Sequence, residues 1–190
     1  MDIGTLISIL NPKVLEKHTE LLAKKGQRSF VLKEDERDAT LRKIFITDCP
    51  ENTYVVKLDG KNFPDMKHFL HSEGGICRRC DYLIFTVANE KAVILLIELK
   101  SKTWITKEVE EKFKASRAII DYLTSIIKHF HEKTLTLDFR FVLFHATPSR
   151  GMKTITKTTV LHTTPSKFLK RPCNDKDHIS LNILLKSTNA

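Results

Sequence analysis

Residues 81 to 100 read DYLIFTVANEKAVILLIELK: two apolar runs, Asp81 to Val87 and Ala92 to Lys100, divided by Ala88-Asn89-Glu90-Lys91. Each run has strand length and is rich in Val, Ile, Leu and Phe, and the divider carries turn chemistry, so the stretch reads as a β-hairpin. Both runs are apolar on both faces, which puts them in the middle of a sheet covered on its two sides. A two-residue loop at Asn89-Glu90 pairs Ala88 with Lys91, and each step outward keeps pace, so Asp81 falls opposite Glu98 with Cβ atoms about 5 Å apart. A four-residue loop preserves that pairing, and a three-residue loop makes Asp81 a diagonal neighbour instead. Side chains alternate along a strand, so Glu98 and Lys100 point to one face.

Two carboxylates and one ammonium therefore converge at the ends of strands made otherwise of apolar residues. Like charges opposed across a sheet destabilise it, so a cation is expected between them. Magnesium suits the position because it prefers carboxylate, carbonyl and water oxygens and bridges protein to phosphate, and manganese is expected to substitute. The Leu99 carbonyl is the natural third protein ligand. Such an ion acidifies a bound water and neutralises charge building on a phosphodiester. Lys100 is placed to position that water or the phosphate.

Outward from the hairpin, Val109, Phe113, Ser116, Ile120, Leu123, Ile127 and Phe130 recur at intervals of four and three, which predicts an amphipathic helix from about Thr106 to His131. Phe139 to Ala146 reads as another buried strand. Thr154 to Leu161 alternates like an edge strand, and Ile179, Leu181, Ile183 and Leu185 alternate in a final one. Before the hairpin, Asn11-Pro12 looks like an N-cap and first helical residue, with Val14, Leu15, His18, Leu21 and Leu22 on one face of a helix closing near Gly26. Arg42 to Thr47 and Thr53 to Leu58 read as a second hairpin around the turn-like Asp48 to Asn52, and Phe63, Met66, Phe69 and Leu70 suggest a short helix. The expected fold class is α/β, a central mixed β-sheet flanked by helices. It forms a single domain over residues 1–190, with its core at about 53–146 and helix 11–25 and strands 154–185 as elaborations.

An aspartate on one strand, a hairpin, an apolar strand ending in Glu98-Leu99-Lys100, an amphipathic helix and a further strand together resemble the PD-(D/E)xK nuclease superfamily, over roughly Thr53 to Ala146. The resemblance implies the restriction endonuclease-like αβββαβ core, with Asp81, Glu98 and Lys100 as the catalytic triad and hydrolysis leaving a 5′-phosphate and a 3′-hydroxyl. Cys80 stands where the motif's proline would be, a departure many members share. Members often add an acidic metal ligand on the first helix, for which Glu16 and Glu20 are the candidates, Glu20 preferred. A basic residue on the helix after the motif often faces the site. Lys107, Lys114 and Arg117 share one helix face, and Lys114 is preferred.

Several features weigh less. The tripeptide acid-x-Lys recurs by chance at Asp59-Gly60-Lys61, Asp65-Met66-Lys67 and Glu110-Glu111-Lys112, without strand surroundings. Cys77-Arg78-Arg79-Cys80 lacks the second close pair that a zinc site needs. Arg78 and Arg79 precede Asp81 in a glycine-containing loop and either meet a phosphate or are solvated. The acidic run Glu34 to Asp38 reads as a solvated turn or helix start. The histidines show no HExxH spacing, and there is no phosphate loop or GxSxG elbow.

The formal net charge of +9 and pI near 9.4 favour a polyanionic partner. Four cysteines in a lysine-rich chain without a recognisable leader fit reduced thiols and a cytoplasmic location. The longest apolar run, Ala92 to Ile97, is far short of a membrane span. Fold alone does not select a substrate. The expectation is a DNA endonuclease of a defence, restriction or repair system, DNA being favoured over RNA as partner. A homodimer would account for double-strand cleavage, and an ATPase or other protein subunit would supply any motor function. The alternatives are a non-catalytic nucleic-acid-binding module on the same fold and a basic adaptor for another protein or anionic surface.

Overall fold

The computed structural model describes residues 3–16, 27–35, 38–60, 62–68, 70–71, 73–147 and 162–186. In chain order they form α1 (Ile3–Ser8), β1 (Gln27–Lys33), β2 (Lys43–Pro50), β3 (Tyr54–Lys57), β4 (Tyr82–Ala88), β5 (Lys91–Lys100), α2 (Thr106–His131), β6 (Leu137–Ala146), β7 (Leu169–Cys173), β8 (Asp177–Ser180) and α3 (Leu181–Leu185). The class is mixed α/β. Among the described residues, no helix is long and apolar enough to cross a membrane.

A five-stranded sheet runs in the order β3-β4-β5-β6-β7. Its first three strands form an antiparallel meander, α2 carries the chain from β5 to β6, and β5, β6 and β7 are mutually parallel. β4 and β5 are central, as continuous apolar sequence requires, because side chains on both faces must find cover. On one face α1 and α2 pack over Leu83, Phe85, Ile94, Leu96, Phe141 and Leu143. On the other lies chiefly a second sheet, in the order β1-β2-β8, meeting Ile84, Leu95, Ile97, Val142 and Phe144 through Phe30, Leu32, Ile44 and Ile46, with the short α3 adding Leu181 and Leu184. The expectation of a sheet flanked by helices thus holds for one face, while the other is covered mainly by strands and only in small part by α3. Tyr82, buried between the sheets, joins them by accepting from the Lys33 N–H at 2.8 Å and donating to the Lys33 carbonyl at 2.9 Å.

α2 has the span its periodicity predicts, and Val109, Phe113, Ser116, Ile120 and Ile127 are buried. Phe130, expected on the same face, is 80% exposed, although Ile127 three residues earlier is buried. Four other expectations are corrected. The helix over 11–25 is a single 3-10 turn, Pro12–Val14, after which Leu15 is extended and bridges Val56; residues 17–25 lie outside the described ones. The hairpin between 42–47 and 53–58 does not form, since β2 pairs with β1 and β8 while β3 pairs with β4 in the other sheet. Alternation reveals which face of a strand is buried, not which strand lies beside it.

The short helix near 63–70 is a 3-10 turn, Met66–His68. The final strand ends at Ser180, and Leu181–Leu185 is helical, with Leu181 and Leu184 buried one turn apart. The strand expected over 154–161 falls outside the described residues.

Candidate active site

The geometry begins at the turn between β4 and β5. Asn89 and Glu90 have φ of 47° and 61°, the left-handed pair of a two-residue type I′ turn, whose twist matches that of the strands it joins. Ala88 consequently pairs with Lys91, and the ladder runs without a slip to Tyr82 opposite Ile97. Asp81 comes one residue before the ladder begins, and it lies near Glu98, since the Lys112 ammonium reaches a carboxylate oxygen of each. Asp81 Oδ2 accepts the Leu99 N–H at 2.6 Å, which ties the two strand ends together. The N–H and C=O of a residue leave a strand on the same side, so the Leu99 carbonyl is also directed toward Asp81.

Asp81, Glu98 and Lys100 share the α2 face of the sheet. Glu98 is fully buried and Asp81 7% exposed. Lys100 Nζ lies 2.8 Å from Glu98 Oε1, and a second ammonium, that of Lys112 on α2, lies 2.5 Å from the same oxygen and 3.7 Å from Asp81 Oδ1. Glu98 Oε2 is buried with no hydrogen-bond partner among the described residues. Burial first, and the Glu98 charge second, push the Asp81 carboxyl well above its ordinary value, against the pull of Lys112 and the Leu99 N–H. Burial works against the Lys112 ammonium, but the combined attraction of Asp81 and Glu98 outweighs it and holds that group above its ordinary value. Asp59 adds a further negative influence on Asp81.

α2 is fixed over the hairpin by Ser116, whose buried Oγ accepts the Cys80 N–H at 2.8 Å. Lys112 lies one turn earlier on the same stripe. Sequence reasoning missed both roles, setting Lys112 aside within Glu110-Glu111-Lys112. The available signal was a charged residue three after Val109 and four before Ser116, on the buried stripe of the helix.

The remaining basic candidates disperse. Lys107 and Lys114 are exposed. Arg117 bonds Asp121 at 2.9 Å and stacks on Phe139 at 3.4 Å. Arg79 donates to the Pro64 carbonyl at 2.6 Å and lies over the Phe63 ring. Arg78 stays near the site, paired with Glu111 at 3.1 Å and Glu108 at 3.7 Å, where it lines a cavity of about 230 Å³ together with Lys100, Trp104 and Lys112. Glu20 lies outside the described residues. Glu16 bonds through its N–H to the Val55 carbonyl at 2.7 Å, at the β3 edge. All four cysteines are free. Among the described residues no group of three His, Cys, Asp or Glu gathers, so a cation here would draw on Asp81, Glu98 and the Leu99 carbonyl.

Set against protein-family models, curated proteins and solved structures, the chain has no match in any of the three.

Proposed function

We propose that this chain is a magnesium-dependent nuclease of the PD-(D/E)xK type, hydrolysing phosphodiester bonds in DNA in a defence, restriction or repair setting. The observation that carries the reading is the Asp81-Glu98 pair, two buried carboxylates aligned by hairpin register, with Glu98 Oε2 lacking any partner among the described residues. A buried carboxylate oxygen with no donor is costly, and a hard divalent cation offsets that cost. The all-oxygen donor set fits magnesium. The meander β3-β4-β5, the crossover α2 and the parallel β6 support the αβββαβ core that the motif implies.

Asp81 and Glu98 would hold the metal with the Leu99 carbonyl, and bound there it supplies an acidified water and charge neutralisation at the phosphate. Lys100 donates to the attacking water or to a phosphate oxygen and keeps it in line. Lys112 balances the carboxylates and offers a second ammonium to the phosphate. Arg78, at the cavity mouth, binds a flanking phosphate.

One observation favours a second reading, a nucleic-acid-binding module without catalysis. Two ammonium groups already face the two carboxylates, so the charges nearly cancel. The deciding experiment offers linear, supercoiled and single-stranded DNA, and RNA, to the wild type and to Asp81→Ala and Lys100→Ala, in magnesium, manganese and EDTA. The nuclease reading expects cutting by the wild type in either metal and its loss in both variants and in EDTA. Binding without cutting in any metal would favour the module, and neither activity would direct attention to a protein partner.

A further inference from the structure

Strands β5, β6 and β7 run parallel, so their C-terminal residues Lys100, Ala146 and Cys173 come together at one edge of the sheet. Crevices outside the carboxyl ends of parallel strands are habitual ligand sites. Here the crevice is a cavity of about 610 Å³, a volume typical of sites for small molecules. Its link to the carboxylates runs through a second cavity, lined by Lys100 and Lys112, the two ammonium groups that reach Glu98. Trp104, in the short loop between β5 and α2, lines both this cavity and the smaller one that holds Lys100 and Lys112.

The indole is braced but partly accessible. Phe168 meets it edge-on at 6.2 Å and His145 lies tilted at 6.1 Å, while Lys170 Nζ stands 5.0 Å from the ring centroid. Lys102 also lines the cavity. A flat aromatic surface with cations beside it matches one repeating unit of a nucleic acid, a base to stack and a phosphate to pair. The one acid of the lining, Asp175, has an oxygen already engaged by the N–H groups of Arg42 and Lys43, at 2.9 and 2.8 Å.

We propose that the Trp104 cavity is a subsite for one unpaired nucleotide, stacked on the indole, of the strand whose phosphate lies at Asp81 and Glu98. The inference rests on the nuclease reading and sharpens its substrate class. A base paired in a duplex cannot reach the indole unless it is flipped out of the stack. The substrate is therefore DNA with unpaired nucleotides, a single strand, flap or bubble, rather than continuous duplex.

Trp104 is the sole tryptophan of the chain, so its fluorescence reports the two cavities it lines, and the abasic strand separates stacking on the indole from a phosphate held beside Lys100 and Lys112. The test titrates the wild type in EDTA, where nothing is cut, with a single-stranded oligonucleotide of about 12 residues, a span covering common single-strand site sizes. A duplex of the same length and a strand with abasic sugars at its centre are titrated alongside. Saturable quenching by the normal strand, with much less from the duplex and the abasic strand, is expected.

Labelled-strand anisotropy should show Trp104→Ala binding roughly 5- to 150-fold more weakly, the loss of one stacked base, and Trp104→Phe close to wild type. Equal quenching by normal and abasic strands, or by strand and duplex, would overturn the proposal even if Trp104→Ala fails to fold. Cutting in magnesium with a silent Trp104 would sink this subsite and spare the nuclease. Base-dependent quenching without cutting in any metal would do the reverse.

Discussion

Lys112→Met tests the electrostatics of the site most directly. The substitution keeps the length of the apolar stem and removes an ammonium 2.5 Å from Glu98 Oε1 and 3.7 Å from Asp81 Oδ1. Deleting one member of a buried ion cluster strands the charge left behind, at a cost of about 3–5 kcal/mol. Lys100 remains 2.8 Å from Glu98 and the Lys112 side chain is a quarter exposed, which places the loss near the low end, about 3 kcal/mol. For a chain of this size that corresponds to a fall in Tm of roughly 6–12 °C.

Urea unfolding at neutral pH should show this deficit. It should shrink in mild acid, because protonation discharges Asp81, whose carboxyl is already held above its ordinary value. It should shrink again in millimolar magnesium, which should stabilise the variant more than the wild type because a competing cation is gone. In the wild type the Lys112 contribution is present below the ordinary lysine value and is lost only as pH climbs past its raised one. A cost under about 1 kcal/mol, against the 3–5 kcal/mol of a broken buried pair, would refute the reasoning, as would a deficit indifferent to both pH and magnesium.

Because burial and Glu98 raise the Asp81 carboxyl, the folded chain holds that proton more tightly than the unfolded one. Stability at this residue therefore falls as pH rises from the ordinary carboxylate value through the raised one. Asp81→Asn should accordingly melt above the wild type at neutral pH, with the gap closing on acidification in thermal scans. Glu90→Gly should stabilise the hairpin by about 1 kcal/mol in chemical denaturation, since Glu90 is exposed at φ of 61° where a β-carbon is penalised. Thiol labelling of the native protein should modify Cys77 first. Burial pushes Cys49 and Cys173 up to about 12, and Cys80 is fully buried with its thiol also pushed up. Rapid labelling of several thiols would contradict the packing between the sheets.

What was legible in the sequence was local or periodic. The hairpin register followed from counting outward from Asn89-Glu90, and α2 from a sustained interval of three and four. What failed was non-local. Strand β2 has a clear alternating face, yet its partners are β1, some ten residues before it, and β8, far along the chain, so its neighbour in sequence was the wrong choice. β7, with Lys170, Arg171 and Pro172 at its centre, does not look like a strand, because its pairing to β6 comes from the backbone and not from apolar side chains.

Asp81, Glu98 and Lys100 could be brought to one face on paper because all three lie on a single hairpin. Lys112 and Trp104 reach the same region from α2 and its leading loop, and their arrival depends on how the helix is rotated above the sheet. The buried face of α2 was visible in its apolar spacing. Which of its charged residues would be drawn in by the carboxylates was not.

That rotation is set at two points only four residues apart, Ser116 on the Cys80 N–H and Lys112 on the two carboxylates. They are about 6 Å apart along a helix that runs on for some 22 Å beyond Ser116. Mechanically, α2 is pinned by polar contacts near one end and held beyond them mainly by apolar packing, through the buried Ile120 and Ile127. A load applied around the exposed Phe130 works against that apolar packing before it twists the hairpin. A single residue inserted between the two clamps, by contrast, would swing one of them through about 100°. In a set of diverged copies of this chain, the spacing from Lys112 to Ser116 should therefore be kept while the last turns of the helix drift in length and sequence.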